Sequence, residues 1–109
     1  MSEIQEIIDL LIKFRNERNW EQFHNSKDLA LALSIESSEL NELFLWKGPE
    51  DVNAEKLKEE LADIFIYAFL LAKKHELDVK DIVLDKIKIN EKKYPSKKAK
   101  NSAKKYNEL

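Results

Sequence analysis

The 109-residue chain carries 19 Lys and Arg against 21 Asp and Glu, and a net charge of −2 gives no cause to expect a nucleic-acid backbone as its main partner. With no Cys, it has no disulfide, thiolate zinc site, iron–sulfur cluster or cysteine nucleophile, and its single Gly48 excludes every glycine-rich phosphate loop. Two Pro and one Gly also leave few of the turns that a sandwich or barrel needs, so one all-α domain of about four helices is expected.

The opening residues, Met1-Ser2-Glu3-Ile4-Gln5-Glu6, are acidic and look like neither a signal nor a transit peptide, so a cytoplasmic protein is expected. Ser2 is a candidate N-cap for a first helix running to about Asn19, with Ile4, Ile7, Ile8, Leu11 and Phe14 at helical spacing. The second helix opens near Asn25-Ser26 and runs to about Trp46, where Lys47-Gly48-Pro49-Glu50 stops it. The third spans Asn53 to about Lys74. Its main apolar stripe is Leu57, Leu61, Ile64, Phe65, Ala68 and Leu71, and Ile66 and Leu70 lie opposite. That helix includes the longest apolar run, Ile64 to Ala72, which at 9 residues is about half of the ~20 needed to cross a bilayer. Asp78 with Asp81 resembles a capping box for a fourth helix that ends before Pro95. Residues 1–95 are read as the domain, and the Lys-rich segment 96–109 as a solvated tail.

Several polar side chains fall on faces that the helix period makes apolar. At about 100° per residue, Glu36 projects into the middle of the face formed by Leu29, Leu33, Leu40, Leu43 and Phe44, and Glu39 borders it. On the third helix Glu60, Asp63 and Tyr67 share one narrow arc, with Glu59 offset from it. The pairs Glu36/Glu39 and Glu60/Asp63 are each spaced i,i+3. Facing one another, four carboxylates require a counter-charge, which a hard divalent cation such as Mg2+ supplies. The alternative is two acidic surface stripes. On the fourth helix Lys86, Asn90 and Lys93 interrupt the apolar face of Val79, Ile82, Val83 and Ile89. They suit phosphate and sugar oxygens, or else snorkel from a bundle rim. Trp20 and Trp46 flank the second helix and His24 follows Trp20 by one turn. Such rings stack a nucleobase or fill a core. For His75, a helix-end dipole contact suffices.

Taken together, the segments Glu17–His24, Glu36–Leu40, Glu42–Lys47, Glu59–Asp63 and Lys86–Asn90 followed by Tyr94-Pro95 resemble the MazG-like all-α nucleotide pyrophosphohydrolases, closest to their dCTP pyrophosphatase branch. The ExxE, 20 intervening residues and ExxD carry most of that resemblance, which extends through Lys105-Tyr106-Asn107-Glu108-Leu109. Ile35 and Ser38 stand where close relatives often carry Gly. The resemblance implies a four-helix bundle assembled as a homodimer or a dimer of dimers. It also implies Mg2+, with Mn2+ as a substitute, held by Glu36, Glu39, Glu60 and Asp63. These residues would serve hydrolysis of a nucleoside triphosphate, dCTP or a modified dCTP, to the monophosphate and pyrophosphate. One glutamate, with Glu39 the first choice, would act as general base. Lys86, Asn90 and Tyr67, joined by Lys93 and Tyr94, would contact phosphate and sugar; Trp20, Trp46 and His24 would line the base pocket. Set against this are a related phosphohydrolase for dUTP or a damaged nucleotide, a non-catalytic helical interaction module, and a nucleic-acid accessory protein. The carboxylate set opposes the module, and the net charge opposes the nucleic-acid role.

Overall fold

The computed structural model describes residues 2–109, and among them it contains helices and turns but no strand. Two compact units are resolved, Met1–Leu77 and Asp78–Leu109. The first holds α1 (Glu3–Glu17), a 3-10 turn (Glu21–Phe23), α2 (Ser26–Glu42) and α3 (Ala54–Lys74). The second holds α4 (Val79–Lys93), the single turn α5 (Ser96–Ala99) and a final 3-10 turn (Tyr106–Glu108). Among the described residues, no helix is long and apolar enough to cross a membrane.

Each of the four long helices starts at a side-chain cap. Ser2, Asn25, Asn53 and Asp78 accept the backbone N–H three residues on, at 3.1, 2.8, 3.1 and 2.9 Å. Asp78 caps α4, yet the reciprocal bond of a capping box, from Asp81 back to the Asp78 amide, is not formed.

α3 and α4 end where expected, at Lys74 and before Pro95, while the ends of α1 and α2 depart from the periodicity. α1 stops at Glu17, where the chain reverses through left-handed Asn19 (φ 53). The amide of Trp20 donates to Arg15 O at 3.1 Å and that of Asn19 to Asn16 O at 3.0 Å, the paired bonds of a Schellman cap. This reversal carries the Trp20 ring back onto α1, edge-on to Phe14 at 5.7 Å. α3 ends the same way, with Glu76 (φ 54) in the left-handed position and Leu77 N–H donating to Ala72 O at 2.9 Å. α2 stops at Glu42, four residues before the expected end. Leu43, Phe44 and Leu45 donate to carbonyls three residues back, a tightened last turn that ends at left-handed Trp46 (φ 61).

α2 and α3 form the central antiparallel pair, and α1 packs on α3. A 2.8 Å hydrogen bond between Ser26 Oγ and His75 Nε2 ties the start of α2 to the end of α3. Among the described residues, the buried apolar ones are Ile8, Leu29, Leu70 and Ala72. Leu70 corrects the face assigned to α3: it is 4% exposed, whereas Phe65 of the expected stripe is 56% exposed. A helix that is apolar nearly all round offers no unique core face to its periodicity.

In the second unit, the segment expected to be a solvated tail turns back on the end of α4. Tyr106 packs edge-on against Tyr94 at 6.2 Å, and Lys93 Nζ lies 5.0 Å from the Tyr106 ring.

Candidate active site

The antiparallel pairing of α2 and α3 brings acidic side chains of the two helices together. One oxygen from each of Glu36, Glu60 and Asp63 lies within 4.8 Å of the other two, and all three residues are half-buried. Oε2 of Glu36 and Oε2 of Glu60 are buried with no hydrogen-bond partner. Such orphaned acceptors, on three hard oxygen ligands, fit a divalent cation. Glu39 stands outside this triplet, exposed at its edge, and lines with Glu60 a groove of about 570 Å³ at the α2–α3 loop end. Lys47, Lys56 and Glu59 belong to the same groove.

The cluster's electrostatics follow from its crowding. Burial, reinforced by Glu39, Glu60 and Asp63, pushes the Glu36 carboxyl up to about 7. Glu60 is raised as well, chiefly by burial. Both shifts reflect carboxyls withdrawn from water and crowded by like charge, a strain that a bound cation relieves. Tyr67, one turn along α3 from Asp63, is raised above its ordinary value by burial and then by Glu36, Asp63 and Glu39. It therefore stays a neutral phenol and can donate a hydrogen bond beside the carboxylates.

Tyr67 also lines an adjoining cavity of about 70 Å³ with Trp20, His24, Leu11, Phe14, Arg15, Ile66 and Leu70. Its wall is mostly apolar and aromatic with a few polar groups, the usual composition of a small-molecule pocket. Nδ1 of His24 is buried without a partner, and burial, followed by the charge of Arg15, lowers the ring's pKa. Trp20 and His24 are thus brought together with Tyr67, and Tyr67 connects them to the carboxylates. Trp46 does not line this cavity; it is 94% exposed. The helical register that would put it on Glu39's side ends at Glu42. Lys86 and Asn90 lie one turn apart and exposed on α4, with Lys93 a turn further and Tyr94 half-buried against Tyr106.

The sequence of α2 and α3 matters for placing these relations among known proteins. The sequence model of the MazG-like family matches residues 31–109, more than half of the chain, with Glu36, Glu39, Glu60 and Asp63 all inside the match. The chain belongs to the MazG-like family. Human dCTP pyrophosphatase 1 is 41% identical to it over 114 aligned residues, covering 97% of this chain and 67% of the human protein. The bovine dCTP pyrophosphatase 1 is 40% identical over the same length, with 68% of that protein covered. Among solved structures, a pyrophosphatase from Archaeoglobus fulgidus superposes with a TM-score of 0.80 at 34% identity, covering 87% of this chain and 94% of that one.

Within this MazG-like chain, some cavity residues carry little sequence signal. Arg15 near the end of α1 reads as a solvent-facing cation suited to a helix C-terminus, and only the Asn19 reversal turns it into a cavity wall. Lys47 and Lys56 are equally silent, because a loop and a neighbouring helix start become one groove only after α2 and α3 pair.

Proposed function

We propose that this chain is a Mg2+-dependent nucleoside triphosphate pyrophosphohydrolase acting on dCTP or a modified dCTP, and releasing the monophosphate and pyrophosphate. The observation that carries this reading is the triplet of Glu36, Glu60 and Asp63, with two buried and unpartnered oxygens, beside an aromatic cavity that shares Tyr67. The names of the human and bovine relatives support the base, and those of all three supports the bond cleaved.

Glu36, Glu60 and Asp63 would hold the cation, with Glu39 completing the set from the exposed edge. When bound, Mg2+ supplies charge neutralisation for phosphoryl oxygens and acidifies a coordinated water. The base docks at the Trp20–His24–Tyr67 cavity, which at about 70 Å³ has to widen to admit a ring, so that the α-phosphate lies toward the carboxylates one turn away on α3. Water adds to the α-phosphorus, its proton passes to Glu39, and the bond from the α-phosphorus to the bridging oxygen breaks. Pyrophosphate leaves with that oxygen. Tyr67 donates to a phosphate or sugar oxygen, and Trp20 offers its ring for stacking. Lys86 and Asn90, with Lys93 and Tyr94, serve as further phosphate and sugar contacts on the strength of the family resemblance, and Trp46 as a second stacking ring. The working unit is a homo-oligomer in the cytoplasm, built from the domain 1–95 with 96–109 as its Lys-rich tail.

A nucleotide panel with Mg2+, resolving monophosphate plus pyrophosphate from diphosphate plus orthophosphate, tests this reading. dCTP or 5-substituted dCTP is expected to lead, with the monophosphate as product. Formation of a nucleoside diphosphate would overturn it. Glu36→Gln and Asp63→Asn should each lower kcat by orders of magnitude while the far-ultraviolet helical signal stays, because removing an uncompensated charge does not unravel a helix pair.

A further inference from the structure

The aromatic cavity holds one feature that neither stacking nor metal binding requires, a permanent cation in its wall. Arg15 leaves 12% of its side chain exposed and is fixed from two sides. Its Nε and Nη2 both donate to Oδ1 of Asn16, at 3.0 and 2.9 Å, and Nη2 lies 3.3 Å from Oε2 of Glu21. His24 borders the same cavity with Nδ1 buried and unpartnered. A buried polar atom without a partner disfavours the empty cavity, and a ligand group that satisfies it gains the difference.

Which ligand group this is depends on the ring's charge. A neutral imidazole with its proton on Nε2 offers a lone pair at Nδ1, whereas an imidazolium offers only N–H donors. The charged groups facing His24 are Arg15 from α1 and Glu21 from the 3-10 turn; Tyr67 faces it from α3 as an uncharged phenol. Burial and Arg15 act against protonation of the ring, and Glu21 opposes them more weakly. Glu21 is itself engaged by Arg15 and has 60% of its side chain in solvent, which leaves the cation dominant inside the cavity.

We propose that Arg15 is a positioning residue for base choice: by excluding a second cation it keeps Nδ1 of His24 an acceptor, so that the cavity favours a 4-aminopyrimidine nucleotide over its 4-oxo counterpart. This rests on the pyrophosphohydrolase reading of the site. The 4-amino group donates an N–H to Nδ1, while a 4-oxo group turns lone pairs toward a lone pair and leaves both unpaired. Protonation of His24 reverses the match. Selectivity is therefore expected to fall in acid, and the pH at which it falls to follow the charge on residue 15.

The test combines a titration with a ratio. The chain contains only His24 and His75, so their imidazole proton resonances are assigned with one variant, His75→Gln. Arg15→Met should move the His24 midpoint up, Arg15→Lys should keep it near the parent, and Glu21→Gln should move it down. In parallel, the ratio of kcat/KM for dCTP to that for dUTP is measured from pH 8 to 5.5. It should fall about tenfold in the parent, the loss expected when a donor–acceptor pair is mismatched. The fall should begin at higher pH in Arg15→Met and at lower pH in Glu21→Gln. Both substrates share the triphosphate and the metal, so titration of the carboxylates cancels in the ratio. Hydrolysis with a pH-independent ratio, or a His24 midpoint indifferent to Arg15→Met, would overturn the role of Arg15 alone. A parent that hydrolyses no triphosphate would overturn the enzymatic reading and base selection with it.

Discussion

Glu36 lies against Glu60 and Asp63 with one oxygen buried, and its carboxyl titrates at about 7 in the folded chain against an ordinary 4.5. Between those values the folded state holds a proton that the unfolded chain has lost, so folding takes up a proton there. This contribution to stability is therefore greatest at low pH, declines as pH rises through that window, and is lost above about 7. Glu60 is raised too and acts in the same direction. In the presence of a chelator, Glu36→Gln should melt near the parent at pH 5 and above it at pH 8, because Gln resembles the protonated acid at every pH. Mg2+ added at pH 8 should raise the parent's Tm, and raise that of Glu36→Gln less, since binding to the folded state alone stabilises it. A difference between parent and variant that is the same at pH 5 and pH 8 would show that residue 36 is not the group that titrates.

At the scale of the helix, all four starts and the stops of α3 and α4 were legible, whereas the stops of α1 and α2 were not. Ser2, Asn25, Asn53 and Asp78 cap through their own side chains, a local effect that residue type and position reveal. The carboxylate cluster was largely legible for a related reason: i,i+3 spacing fixes which side chains share a face, and Glu36 stands out against its apolar neighbours. The reversal at Asn19 and the early end of α2 depend on left-handed residues, and Trp46, at the second, has no intrinsic preference for that conformation. Arg15 was illegible because its role exists only once the chain folds back past Asn19. The end of α2 supports a specific prediction. Trp46 combines positive φ with 94% exposure, so its ring contributes little packing within this chain. Trp46→Ala should change stability by no more than about 0.5 kcal/mol. If the ring stacks a base, the same variant should lose about tenfold in kcat/KM, the lower end of an aromatic stacking contact. Measuring Tm and the dCTP-to-dATP ratio on one sample separates the possibilities, and unchanged activity together with an unchanged ratio would remove Trp46 from the base pocket.

At the scale of the whole molecule, the distribution of apolar surface points to self-association. Leu31 and Ile35 lie one turn apart on α2 at 53% and 58% exposure, and Leu61 and Phe65 do the same on α3 at 38% and 56%. Pairs at i,i+4 form continuous ridges rather than scattered single residues, and ridges of this kind are what a helix presents to a partner helix. On α4, Ile82, Val83, Leu84, Ile87 and Ile89 are exposed as well. Apolar ridges of this kind, exposed within each unit, are unusual for a monomer and mark interaction faces. A second copy of the chain is the expected partner, because assembly would cover these ridges without a separate protein. Light scattering at low micromolar concentration should therefore give at least twice the monomer mass. Ile35→Glu and Phe65→Glu test the two ridges separately, since a charge at the centre of a buried helix contact is strongly unfavourable, whereas on an exposed position it costs little. Each variant should shift the mass toward the monomer and make Tm depend more steeply on protein concentration. A parent that runs as a monomer, or variants whose mass and melting are both unchanged, would leave these ridges exposed in solution and exclude them as the assembly surface.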